Sequence, residues 1–179
     1  MNSQIKSILH PISPKFFDEN EVFTIFISIM VIVVLWFLHT HYRTLTNTEL
    51  ASVYLFNLFL STTLESLLAE HPLDFYDTMD YAHAEIFDVI LQTIPYPATI
   101  VIAIHFYAKF RPATIGFIIG WALILISLEW ISLFFDLFQY NEWTLLYSCM
   151  FYAFIMTLNT FFFNKFRKHL QDKKANPIK

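Results

Sequence analysis

Five long apolar runs, separated by short polar segments, are the feature that most constrains what this chain can fold into. They cover residues 22–38, 50–69, 86–108, 113–135 and 144–163, and none of them contains a lysine or an arginine. A helix needs about 20 mostly apolar residues to cross the hydrocarbon core of a bilayer. The sequence therefore predicts an all-α integral membrane bundle of about five transmembrane helices. Residues 1–21 form a polar N-terminal segment, residues 22–163 the transmembrane domain and residues 164–179 a basic tail.

The composition excludes several classes of soluble protein. Only 15% of the residues are charged, whereas soluble domains average about 25%. Two glycines are too few for a glycine-rich phosphate loop, and the single Cys149 allows neither an internal disulfide nor a CxxC site. No cofactor motif is recognisable, so the cofactor stays open. The expected partners are the lipid bilayer and, if the chain belongs to a complex, other membrane subunits; nucleic acid is not expected.

The distribution of lysine and arginine predicts the orientation in the membrane. Nine of the eleven lie in the tail and in the loops after the first and third runs, whereas Lys6 and Lys15 precede the first run. Basic residues in short loops favour the cytoplasmic side. We therefore expect a multi-pass protein of the cell membrane with its N-terminus outside and its C-terminus in the cytoplasm.

Polar side chains within the runs form a layer in the predicted outer leaflet. Glu65 and Glu129 lie about 6 Å and 9 Å below the outer ends of their helices at 1.5 Å per residue. Charged groups at such depth are costly and usually face the bundle interior. The layer therefore predicts either a carboxylate-lined pocket or hydrogen bonds between helices with protonated carboxyls. The candidate binding residues are Asn57, Glu65, Asp88, Gln92, Glu129, Ser132 and Ser148.

These polar side chains share faces on helices two to five, so helix one is expected to be peripheral. Gln92, Ser148 and Glu65 are the expected partners of Glu129. Pro95 and Pro97 lie within the third run, where proline lacks the backbone donor and clashes with the preceding turn. The sequence therefore predicts an interruption of the third helix.

A second pattern lies in the loop between the second and third runs. Histidine and aspartate recur there at every third position, as His71, Asp74, Asp77, Asp80 and His83. Histidine and aspartate can bind Zn²⁺ or Mn²⁺, which makes these residues weak candidates for a metal site. However, five such steps drift around a helix, so all five cannot face one ion. A solvated acidic loop is the competing interpretation.

A motif in the last two runs resembles a known family. The residues are Glu129-Trp130-Ile131-Ser132, then Phe138-Gln139-Tyr140, then Trp143 and Ser148. This pattern resembles that of a family of small multi-pass membrane proteins from endospore-forming bacteria. The resemblance covers roughly residues 50–163; it implies a membrane protein of four to five helices and implies no reaction. This chain departs from the pattern at Asp136, where a glycine is common in the family.

Three functions fit the sequence. The first is a membrane protein that binds or carries a cation or a small polar solute in the carboxylate layer. The second is a non-catalytic structural or assembly subunit of a membrane complex, in which the polar faces hold helices together. The third is an intramembrane enzyme with Glu129 and Glu65 as acid and base. Against this function, the sequence shows no recognisable nucleophile–base pair.

Overall fold

The computed structural model describes residues 17–69, 73–79 and 85–175. Its elements, in chain order, are α1 Glu19–Tyr42, α2 Asn47–Leu68, β1 Tyr76–Thr78, α3 Ile86–Thr93, α4 Pro95–Phe110, α5 Thr114–Leu133, β2 Phe138–Tyr140 and α6 Leu145–Ala175.

Five helices in the described part of the chain are long and apolar enough to cross a membrane, with α3 and α4 counted as one. Each also leaves large apolar side chains exposed, such as Phe26 on α1 and Ile115 on α5. Such a surface suits hydrocarbon rather than water. The prediction of an all-α bundle with five spans is thus confirmed, and the chain is a multi-pass membrane protein.

The last helix is longer than its apolar run. The sequence predicts a span that ends at residue 163, followed by a polar tail, but α6 continues to Ala175. No glycine or proline occurs between Leu145 and Ala175, and the next helix breaker is Pro177. The predicted boundary marks the end of the apolar run, because loss of hydrophobicity does not itself end a helix.

Local sequence signals mark the starts of α1 and α2 and the end of α4. Asp18 with Glu21 forms a capping box at the start of α1, and Thr46 with Glu49 forms one at the start of α2. Helix α4 ends at Phe110, and the next residue, Arg111, has a left-handed φ of 46°. The following Pro112 disfavours helical geometry at the residue before it.

Helix α4 is the centre of the bundle and contacts α1, α2 and α6. Its small side chains Ala98 and Ala103 are buried, as are Val101 and Ile104. Small residues let neighbouring helices approach closely, which is how membrane helices gain packing energy without a hydrophobic effect.

The interruption predicted for the third span is confirmed at Ile94, between α3 and α4. Pro97 cannot donate to the carbonyl of Thr93, four residues before it. That carbonyl instead accepts a hydrogen bond from the Tyr54 hydroxyl of α2 at 2.6 Å. The neighbouring carbonyl of Gln92 accepts one from Ser61 at 2.7 Å. Helix α2 thus supplies donors to the broken turn.

The charges divide between the two ends of the bundle. Every lysine and arginine in the described ranges lies at one end of the bundle, where α1, α4 and α6 end. We call this the basic end. There Arg167 of α6 pairs with Glu49 of α2 at 2.6 Å and donates to the Thr44 carbonyl at 2.9 Å. The opposite end carries β1 and β2 and is called the ribbon end.

Candidate functional site

A two-stranded ribbon organises the ribbon end. Strand β1 follows α2 and strand β2 follows α5, and the two pair antiparallel with Tyr76 opposite Tyr140 and Thr78 opposite Phe138. Alternate residues of a strand point to opposite faces, so these four side chains share the face toward the helices. The ribbon is tied down further because the Phe75 carbonyl accepts backbone N–H groups from residues 141, 142 and 143 at 3.0–3.1 Å.

The first carboxylate of the site is Glu65 of α2, which is 8% exposed. Its Oε1 accepts a hydrogen bond from Thr78 Oγ1 at 2.6 Å, and its Oε2 accepts one from the Tyr76 hydroxyl at 3.1 Å. Both donors come from the inner face of β1. The ribbon therefore holds this carboxylate in place.

The second carboxylate is Glu129 of α5, which is 7% exposed. Its Oε1 accepts hydrogen bonds from the Tyr140 hydroxyl and from Ser148 Oγ, the latter at 2.6 Å. Ser148 in turn accepts a hydrogen bond from Trp143 Nε1 at 2.7 Å. The other oxygen, Glu129 Oε2, is buried and accepts no hydrogen bond from any described residue. The phenol of Tyr152 of α6 also lies beside this carboxylate, and Oε2 is the oxygen that receives no hydrogen bond from the described part of the chain.

The two carboxylates occupy related positions. In each case a glutamate near the end of a helix is bonded to a tyrosine eleven residues later, on the strand that follows. The dipeptides Leu64-Glu65 and Leu128-Glu129 precede these tyrosines at the same spacing. Neither the ribbon nor this repeat was predicted from the sequence. The recurring glutamate–tyrosine spacing after two spans is the signal that could have revealed them.

The two ribbon tyrosines are neutral donors. Burial raises the pKa of Tyr76 well above its ordinary value, and the negative charge of Glu65 adds to that shift. Burial also raises the pKa of Tyr140, together with its hydrogen bond to Glu129. Both causes disfavour the phenolate. The phenols therefore keep their protons over the physiological pH range. They donate hydrogen bonds to the carboxylates and do not transfer protons to them.

Both carboxylates line one cavity of about 360 Å³. The cavity runs from the inner face of the ribbon to the middle of the bundle, where Trp121 and Ile102 line it. Its wall is mainly apolar, and its polar groups concentrate at the ribbon end. Ligand sites commonly combine an apolar wall with a few convergent polar groups, and this volume lies at the small end of their usual range.

The structure divides the predicted polar layer into two parts. Glu65, Glu129, Ser132 and Ser148 line the cavity, although Ser132 Oγ donates to the Leu128 carbonyl at 2.9 Å. Asp88 and Gln92 do not line it; the Gln92 amide donates to Asp88 at 2.9 Å within α3. Of the expected partners of Glu129, the structure provides Ser148, while Gln92 and Glu65 make no hydrogen bond to it in the described ranges.

Asn57 also reaches the cavity, but it has a partner in the neighbouring helix. Its amide donates to Asn159 of α6 at 2.6 Å, and the Asn159 amide donates back at 2.9 Å. Both side chains are buried. This reciprocal amide pair links α2 to α6 and is a structural contact of the kind expected between membrane helices.

The structure corrects the prediction that helix one is peripheral. Val31 and Leu38 of α1 pack against Ala98 and Ile102 of α4. Apolar residues of α1, including Phe23, also form one wall of the cavity. The prediction relied on polar faces, and α1 contributes through apolar side chains that such a criterion overlooks.

The weak metal candidates fall mostly outside the described residues, which include neither His71, Asp80 nor His83. Among the described residues no group of three metal-binding side chains converges. Asp77 lies on the outer face of β1, where its carboxylate accepts from the Asn141 amide at 3.3 Å. Asp74 has a left-handed φ of 49° in the turn before β1.

The residues of the E-W-x-S motif have different surroundings. Glu129, Tyr140, Trp143 and Ser148 form the bonded cluster described above, whereas Trp130 is half-exposed and packs edge-on against Phe134. Asp136 has a φ of 51°, in the left-handed region that favours glycine and tolerates aspartate.

Comparison with known protein families, curated proteins and solved structures finds no match to this chain.

Proposed function

We propose that this protein binds a small molecule with a cationic, hydrogen-bond-donating head in the cavity between its helices, and that Glu129 is the anchor for that head. The protein would hold or carry this molecule in the cell membrane, with the ribbon end outward. The segregation of lysine and arginine at the opposite end supports this orientation. Membership of the resembling family stays a prediction.

The observation that carries the proposal is that Glu129 belongs to the lining of the cavity and that its buried Oε2 accepts no hydrogen bond from any described residue. A buried carboxylate is costly unless it is paired or protonated. The described lysines and arginines all lie at the basic end, so none of them can serve as its partner. A ligand ammonium group would supply both the positive charge and the missing hydrogen-bond donor.

The competing function is that of a structural or assembly subunit, and one observation favours it. The Asn57–Asn159 pair and the donors to the broken turn are hydrogen bonds between helices of this chain, which supports a cohesive role for these polar groups. Those groups are satisfied within the chain. Glu129 differs from them because its second oxygen has no described partner, and this difference favours binding.

Butylamine is the probe for the proposed function, with Glu129→Gln as the test variant. Glutamine keeps the shape and some of the hydrogen bonds but removes the charge. Since pairing with a charged group is about twice as strong as a neutral hydrogen bond, we expect Glu129→Gln to weaken butylamine binding at least tenfold. Binding would be measured by calorimetry on protein in lipid nanodiscs. Circular dichroism would verify that the variant is folded.

The matched control is Glu142→Gln, which removes the same charge from an exposed position of the ribbon end and should leave binding unchanged. Equal binding by wild type and Glu129→Gln, or no binding of butylamine at all, would overturn the proposal. The assembly alternative has a different signature. It expects Glu129→Gln to be silent and Glu129→Leu to lower the yield of folded protein, because an amide can still bond to neighbouring helices.

A further inference from the structure

We infer that the cavity opens sideways into the bilayer between α1 and α5. Its ligand is a long-chain amine whose hydrocarbon tail extends through that opening into the lipid. The inference rests on the proposed function, because it takes Glu129 as the anchor for the amine. It adds the chemical class of the ligand and its route of entry.

The opening lies where two helices line the same cavity without packing along each other. Met30 and Val34 of α1 line the cavity, as do Trp121, Leu125 and Leu128 of α5. In the described part of the chain α1 packs against α4 and α3, and α5 packs against α6, but α1 and α5 share no extended interface. The cavity is therefore bounded on this side by two separated helices.

The exposure of the lining residues locates the mouth. Met30 is 40% exposed and Val34 is 37% exposed, although both also line the cavity. A side chain that is both lining and exposed stands at an opening. Both residues lie on the middle turns of α1, at a depth where the surroundings of the protein are hydrocarbon.

Aromatic contacts frame this opening at two heights. Toward the ribbon end, Phe23 of α1 stacks on Phe135, which follows α5, with ring centroids 4.2 Å apart. Toward the basic end, Trp121 of α5 packs near Phe106 of α4 with centroids 5.9 Å apart. Between these contacts the gap faces lipid. The ribbon covers the polar end of the cavity, where Tyr76 and Tyr140 bond to the two carboxylates.

The polarity of the cavity matches an amphiphile that is oriented as a lipid is. Glu129 lies four residues before the end of α5, about 6 Å along the helix at 1.5 Å per residue. Leu125 and Trp121 continue the wall for about 12 Å beyond it. An ammonium group at Glu129 would therefore sit near the membrane interface, with its chain directed toward the bilayer centre.

The depth of the cavity indicates that a long chain cannot be enclosed. Its lining continues for about 12 Å from Glu129 to Trp121 at 1.5 Å per residue. An octyl chain is comparable in length with that depth, whereas a hexadecyl chain has twice as many carbons and must extend through the opening. These two amines therefore distinguish an enclosed ligand from one that projects into lipid.

The test compares both amines on the wild type, Val34→Trp, Val33→Trp and Glu129→Gln in lipid nanodiscs, with empty nanodiscs as the blank. Val34→Trp places a large side chain at the mouth. Val33→Trp is the matched control, since Val33 is 54% exposed and does not line the cavity. We expect Val34→Trp to weaken hexadecylamine binding at least tenfold and to leave octylamine binding within about twofold. Val33→Trp should change neither.

Three outcomes would overturn the inference. If Val34→Trp and Val33→Trp have equal effects on hexadecylamine, the opening is not between α1 and α5. If hexadecylamine binding does not depend on Glu129 while butylamine binding does, the proposed function stands and the long-chain ligand is wrong. If no amine binds in a Glu129-dependent manner, the proposed function fails and the inference fails with it.

Discussion

The hydroxyl of Tyr54 takes the place of a backbone donor that proline cannot provide. This replacement of one hydrogen-bond donor by another can be tested quantitatively. In an unbroken helix the N–H of residue 97 would donate to the carbonyl of Thr93. Pro97 has no N–H, and Tyr54 donates to that carbonyl at 2.6 Å instead. The two groups serve one acceptor, so their contributions to the free energy of unfolding should not be independent.

The magnitude follows from the kind of bond that is lost. Tyr54→Phe removes one half-buried hydrogen bond and leaves the Thr93 carbonyl without its side-chain donor. Hydrogen bonds between membrane helices contribute about 0.6 kcal/mol on average and up to about 1.7 kcal/mol, and an unsatisfied buried carbonyl adds to the loss. We expect Tyr54→Phe to lower the free energy of unfolding by about 1 kcal/mol in the natural sequence.

The same change should be nearly silent once residue 97 can donate. In the Pro97→Ala background the alanine N–H can reach the Thr93 carbonyl, so removal of the Tyr54 hydroxyl should cost less than about 0.3 kcal/mol. The coupling energy of the double-mutant cycle should therefore be close to the whole effect of Tyr54→Phe. Reversible unfolding by dodecyl sulfate in mixed micelles, followed by circular dichroism, measures all four proteins.

Tyr147→Phe is the control for loss of a phenol hydroxyl, because Tyr147 is exposed on α6. It should change the free energy of unfolding equally in both backgrounds. An equal cost of Tyr54→Phe with and without Pro97 would refute the replacement of a backbone donor by tyrosine. A Tyr54→Phe variant as stable as the natural protein would show that this bond adds nothing to stability.

The remaining predictions concern the amide pair and one ribbon tyrosine. Asn57→Ala and Asn159→Ala should each lower the free energy of unfolding by about 1–2 kcal/mol. The double variant should lose about 1 kcal/mol less than the sum of the two single variants, because each single variant already breaks the same two bonds. Additive losses in micelle unfolding would contradict the pairing. The raised pKa of Tyr76 means that the folded protein holds this proton more tightly than the unfolded chain. Its contribution to stability is therefore full below about pH 10 and declines as the pH rises toward the folded pKa. Tyr76→Phe should remove that alkaline decline in unfolding measurements across pH, and an unchanged slope would show that other groups cause it.

The spans could be predicted because a single physical quantity governs them. A run such as residues 113–135 is apolar over the thickness of a bilayer, and no alternative structure satisfies its backbone in hydrocarbon. The interruption at Ile94 was equally accessible, because Pro95 and Pro97 act locally. Helix ends were less so. Where α6 finishes depends on helix propensity beyond the apolar run, and hydrophobicity does not report on it.

The ribbon could not be predicted from hydrophobicity, because it depends on a contact between distant segments. Tyr76 and Tyr140 come together only when α2 and α5 end at the same side of the bundle. Each strand is three residues long, too short to show an alternating pattern. The sequence therefore predicts that Glu65 and Glu129 share one end of the bundle and that Ser148 is a partner of Glu129, but it gives no sign of the tyrosines opposite them.

The polar groups of the bundle interior differ in the free-energy cost of their burial and in the hydrogen bonds that they gain on folding. Asn57 and Asn159 satisfy each other, and Ser61 and Tyr54 satisfy the broken turn, so folding alone accounts for them. Glu129 is different, because a carboxylate costs more than an amide in hydrocarbon and only one of its two oxygens has a described donor. If helix cohesion were its whole purpose, a glutamine would bond to Ser148 and Tyr140 at lower cost. The second oxygen of Glu129, on a side chain that lines the cavity, is better explained by a ligand that carries a positive charge.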